Sequence, residues 1–142
     1  MNKQNIVFFL ICVFTIAIKA QTITGKWKTI DDTTGEAKSI IEIYEQDNKI
    51  YAKINELLVE EDKGKDCKNC TGKNKNKPII GMVIVNGLVK DNDEWNGGKI
   101  LDPKNGKEYK CYLSFVSENK LKVRGFIGFS LLGRTQYWYK ID

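Results

Sequence analysis

The punctuation of this chain restricts its fold more than any other feature. Downstream of Gly25, short runs of alternating apolar and polar residues are cut roughly every 10–15 residues by Gly, Asn, Asp or Pro. Runs of that length are too short for helices with a buriable face and read as strands. The runs are 25–30, 38–45, 49–58, 79–86, a stretch near 98–101, then 107–116, 120–128 and 133–141. In 49–58, Ile50, Ala52 and Ile54 face one way and Tyr51, Lys53 and Asn55 the other. Asp47-Asn48 and Asp102-Pro103-Lys104-Asn105-Gly106 are strong turn signals. Hairpin-length connections predict sequential antiparallel pairing. Eight strands in so short a chain fit an all-β fold, a small closed up-and-down barrel, because closure removes exposed sheet edges. An open sandwich is the alternative.

The first 20 residues stand apart. Lys3 gives a positive start, Ile6 to Ile18 is apolar except for Thr15, and Lys19-Ala20 precedes Gln21. This is the layout of a cleaved secretory signal, with the cut expected between Ala20 and Gln21 and residues 21–142 as a single domain. A membrane-spanning helix needs about 20 apolar residues, more than this run supplies. Cys12 lies mid-run behind Leu10-Ile11, without the small residues that normally precede a lipidated cysteine. The expected location is therefore periplasmic or secreted.

The 142-residue chain carries a net charge of +5 and no His. Removal of 1–20 takes away Lys3 and Lys19 and leaves +3. The absence of imidazole excludes Ser-His-Asp and Cys-His chemistry and histidine metal sites. No cofactor and no metal site are expected. The carboxylates Asp31-Asp32, Glu60-Glu61-Asp62, Asp91, Asp93-Glu94 and Asp102 sit mostly at turns, where Asp serves turn chemistry. A carboxylate hydrolase would need two of them, and the spacing selects no pair.

Residues 60–78 interrupt the strands as an inserted loop with Cys67-Lys68-Asn69-Cys70 at its centre. In an exported protein a local disulfide leads. The alternatives are a redox dithiol, which favours a helix N-terminus, a zinc site, which wants four ligands, and an idle reduced pair. Cys111 shares a face with Tyr109, Leu113 and Phe115 and reads as a buried thiol. The loop also carries Lys63, Lys65, Lys68, Lys73, Lys75 and Lys77. These form either a solvated face or a contact for an anionic envelope surface or protein partner. With no aromatic residue among them, nucleic acid is not expected as a partner.

In the last two runs, Arg124 alternates with Lys122 and Phe126, and Arg134 with Gln136 and Trp138. Arg124, Arg134, Gln136 and Trp138 are the candidate ligand contacts if their faces point inward. The Gly125, Gly128 and Gly133 cluster lets strands bend or approach closely.

Four blocks carry a resemblance. They are Gly25-Lys26-Trp27-Lys28-Thr29-Ile30; Gly98-Lys99-Ile100-Leu101-Asp102-Pro103 with Gly106 and Tyr109; Lys122-Val123-Arg124-Gly125-Phe126-Ile127-Gly128; and Gly133-Arg134-Thr135-Gln136-Tyr137-Trp138. In this order, with a Cys-x-x-Cys between the first two, they resemble the domain of unknown function 2147 family of small exported bacterial proteins. The resemblance covers 21–142 and implies a lipocalin-like barrel in the cell envelope or outside it. It transfers no catalytic residue. Gly25-x-Trp27 is similar to the opening of lipocalin-type barrels, where the Trp plugs one end. An Arg of the last strand commonly packs over that indole, and Arg134 is the matching residue here. The leading functional expectation is a non-enzymatic barrel binding a small apolar or amphipathic ligand in or at its mouth. The alternative is an interaction module that scaffolds the 60–78 loop.

Overall fold

The computed structural model describes residues 14–17 and 21–141. Most of the expected signal, with Cys12 and Ala20, lies outside the described residues. Eight strands follow in order: β1 Gly25–Ile30, β2 Ala37–Gln46, β3 Lys49–Leu57, β4 Val83–Asp91, β5 Glu94–Asp102, β6 Lys107–Ser117, β7 Lys120–Phe126 and β8 Gly133–Lys140. Each pairs with its sequence neighbour, and β1 pairs with β8, so the sheet closes into an antiparallel barrel. The expected all-β up-and-down barrel is the fold observed.

Alternation along the strands sets the interior. Trp27 and Thr29 on β1, Ser39, Ile41 and Ile43 on β2, and Ile50, Ala52 and Ile54 on β3 are buried, while their neighbours are more exposed. Asp47 and Asn48 both take positive φ (52° and 61°), the geometry of a two-residue hairpin between twisted strands.

Two strand assignments differ from the sequence reading. The apolar run that opens with Ile79-Ile80 is a turn rather than a strand. There Gly81 has φ 88°, and its N–H donates to the Ile54 carbonyl at 2.6 Å. The fourth strand starts at Val83 and runs on to Asp91, and the fifth starts at Glu94 rather than near Gly98. Between them lies a hairpin with Asn92 at φ 53°. Gly87, Gly97 and Gly98 erase the alternation on both arms, and the register slips between Trp95 and Gly98.

The up-and-down topology sorts the connections. The tight hairpins joining β2–β3, β4–β5 and β6–β7 lie at one end, with residues 21–24 and the end of β8. The longer connections 31–36, 58–82, 103–106 and 127–132 lie at the other. Trp27, fully buried, plugs the hairpin end. Its Nε1–H donates to the Ile23 carbonyl at 2.9 Å, and its ring lies 6.2 Å from that of Phe115. The cation over its face is Lys140, 4.9 Å from the ring centroid, and not Arg134. Register explains the exchange: Lys140 is the direct cross-strand partner of Trp27, whereas Arg134 sits at the opposite end of β8. The Lys140 ammonium also donates to the Thr24 carbonyl at 2.7 Å.

Candidate functional site

At the loop end the barrel opens into a cup of about 480 Å³. Its lower wall is apolar, with Ile41, Ile54, Ile84, Ile100, Val123 and Trp138. Its rim is charged, with Asp31, Lys38, Asp102, Lys104 and Arg134. Gly125 faces inward on β7, and a Cβ there would meet Ile100 Cγ2 at 3.4 Å and Tyr109 Cβ at 3.7 Å. The absence of a side chain at Gly125 therefore keeps part of the cup open.

The rim is braced by ion pairing. Arg134 Nε donates to Asp32 Oδ2 at 2.7 Å, and a second guanidinium nitrogen donates to Oδ1. That pair holds the Asp32 carboxyl below its ordinary range. Asp31 is also lowered, because the Thr34 and Thr33 backbone N–H groups donate to its Oδ1 at 2.8 and 2.9 Å. Neither carboxyl is therefore set as a proton donor near neutral pH.

Of the four sequence candidates, Arg134, Gln136 and Trp138 line the cup together. Arg124 does not. It lies on the outer face opposite Thr135, with Nε donating to the Ser130 carbonyl at 2.7 Å. Its two other nitrogens donate to Thr135 Oγ1 at 2.8 Å and to the Leu131 carbonyl at 3.2 Å. Arg124 thus pins the 127–132 loop from outside. That loop exposes Phe129 (75%) and Leu131 (88%) beside the mouth, and Ile127 and Leu132, also exposed, stand at the edge of the cup.

Cys67 and Cys70 form a disulfide with Cα atoms 5.3 Å apart, and both are buried. The clasp rests on the β5–β6 turn at the rim. Cys67 Sγ touches the Pro103 carbonyl at 3.3 Å, and Asn69 Nδ2 donates to the Lys104 carbonyl at 2.9 Å. Gly106, with φ 72°, lies so close to Asn69 that any Cβ would collide with its backbone. Within the loop, Lys63 pairs with Glu60 and Lys65 with Asp62, both at 2.8 Å, which dilutes the basic face.

Three hydroxyl-bearing residues of the cup escaped the sequence reading. Thr29 and Ser39 are buried on adjacent strands and share a hydrogen bond at 2.8 Å. Tyr109 lines the wall on β6 and accepts a bond from Asn105 Nδ2 at 2.9 Å. Trp138 was a candidate, but nothing in its sequence context showed that its indole N–H finds no partner. A buried donor left in that state costs about 1–3 kcal/mol.

A closed eight-stranded barrel, plugged by a tryptophan at one end and open as a cup at the other, is a lipocalin-like barrel. In agreement, the chain is similar in structure to "Protein HP1028 from the human pathogen Helicobacter pylori", described as belonging to the lipocalin family. The TM-score is 0.75 at 22% identity, over 87% of this chain and 85% of that one. By sequence the chain belongs to the DUF2147 family, "Uncharacterized protein conserved in bacteria", whose profile matches residues 25–140. No curated protein matches the chain.

Proposed function

We propose that this protein is an exported, non-enzymatic barrel that holds one small, partly apolar molecule in its cup. The observation that carries the reading is the cup itself. At about 480 Å³ it falls in the size range of small-molecule sites, and it pairs an apolar wall with a polar rim. Export is supported by the 1–20 segment and by a disulfide that needs an oxidising compartment. The test is titration of the mature chain with a panel of fluorescent lipophilic probes, such as a conjugated fatty acid. One-to-one saturable binding, weakened about tenfold when Gly125→Val narrows the cup, is the expected result. No saturable binding across the panel overturns the reading in favour of an interaction module.

A further inference from the structure

On β1 and β8 the lining of the cup ends at Thr29 and Trp138. The next inward positions, Trp27 and Lys140, belong to the plug. Thr29 is paired across the closing seam with Trp138 and on its other side with Ser39. Directly opposed residues hold their Cβ atoms about 4.5–5.5 Å apart, so these three side chains form one row at the base of the cup.

The hydrogen-bonding capacity of that row is only partly used. Trp138 is 1% exposed, and its indole nitrogen, which can only donate, is covered and has no partner among the described residues, so an acceptor from the cup reaches it when the side chains over it part. Thr29 and Ser39 use one hydroxyl proton on each other; the second has no protein acceptor among the described residues. No ionised group joins them, since the Lys140 ammonium is committed to the Thr24 carbonyl and the Trp27 face. A carboxylate brought to this depth would lose its hydration without gaining a counter-charge. An alkyl end would leave the donors unpaired. A neutral oxygen acceptor satisfies both conditions.

We infer that the molecule held in the cup enters with an uncharged hydrogen-bond acceptor leading, a ketone, aldehyde, ester or ether oxygen. That oxygen meets the Trp138 N–H beside the Thr29–Ser39 pair. The apolar body then runs up the wall to the mouth, where Ile127 and Leu132 continue it. This assignment rests on the cup being a binding site, and the experiment separates the two claims.

The probes are 2-decanone and n-decane, equal in chain length and differing in one acceptor. Each is titrated against the mature protein by displacement of a bound fluorescent probe. An entirely apolar cup ranks decane first, because decane gives up no hydrogen bond on leaving water. The expected result is the reverse order, with 2-decanone tighter by about tenfold. Trp138→Phe removes the donor together with part of the wall, and decane reports the loss of wall by itself. It should weaken 2-decanone about tenfold more than it weakens decane. In the wild type, the indole resonance identified by its loss in Trp138→Phe should move downfield with 2-decanone and stay still with decane. Decane binding as tightly as the ketone, or an unmoved indole resonance, overturns the inference and leaves the cup reading intact. Displacement by neither compound overturns the inference alone, and failure of every fluorescent probe to bind overturns both. If Trp138→Phe does not fold, the wild-type probe pair and the resonance decide the matter.

Discussion

Trp27 and Trp138 are buried in opposite halves of the barrel, and the two are treated differently. Trp27, at the hairpin end, has its indole N–H on the Ile23 carbonyl, Phe115 against its ring and Lys140 over its face. Trp138, four residues below the rim arginine on β8, is equally buried and has no acceptor. What lies beside each ring accounts for the contrast. The segment before β1 brings the Ile23 carbonyl onto the Trp27 N–H, whereas no acceptor among the described residues reaches the Trp138 N–H. A satisfied buried polar group marks structure, and an orphaned one marks a place to look for a ligand.

The largest expected effect tests the closed end. Trp27→Ala removes the plug from a fully buried position and should cost about 3–5 kcal/mol in urea unfolding. A cost below about 1 kcal/mol would show that the end is not packed as described. Next comes the clasp at the open end. Replacing Cys67 and Cys70 together by Ala should cost about 2 kcal/mol, the entropy of a very short loop. Apolar-probe binding should weaken as well, because the clasp supports the rim turn at Pro103 and Lys104.

The barrel interior has a pH signature on the alkaline side. Burial pushes the Cys111 thiol from 9.0 up to about 12. Between those values the unfolded chain has released a proton that the folded chain keeps, so stability falls as pH rises. The full contribution is present below pH 9, and the loss is complete once pH passes about 12. The slope should approach about 1.4 kcal/mol per pH unit. It should vanish in Cys111→Ala, as read by urea unfolding from pH 8 to 11. Gly125→Val should weaken probe binding about tenfold, or about 1.4 kcal/mol, with the unfolding midpoint retained. The smallest effect belongs to the mouth loop. Phe129→Ser with Leu131→Ser should leave stability within about 0.5 kcal/mol, since both are exposed.

Legibility in the sequence follows the same division. β2, β3 and β6 were readable because alternation along them is unbroken, and Asp47-Asn48 fixed one turn. β4 and β5 were blurred by Gly87, Gly97 and Gly98, which remove the side chains that make a period visible. The inward placement of Arg134, Gln136 and Trp138 follows from their parity on β8. Arg124 has the opposite parity to Leu121 and Val123, whose burial marks the inner face of β7. Whether Arg134 or Lys140 covers Trp27 depends on the β1–β8 register, a contact between distant segments that no local pattern encodes. The volume of the cup and the orphan at Trp138 Nε1 depend on how all eight strands pack, so no local segment holds them.

The seam between β1 and β8 is secured by three residue pairs, Trp27 with Lys140, Lys28 with Tyr139 and Thr29 with Trp138. Every other seam joins strands adjacent in the chain, whereas this one joins residues more than 100 positions apart. The chain entropy of bringing them together falls due only when the other seven seams can hold the ends in place. Closure is therefore the late event in folding, and two of the three buried tryptophans, Trp27 and Trp138, sit on it. In a Trp95→Phe background, a stopped-flow trace of tryptophan fluorescence would then report the final step of assembly rather than the first collapse.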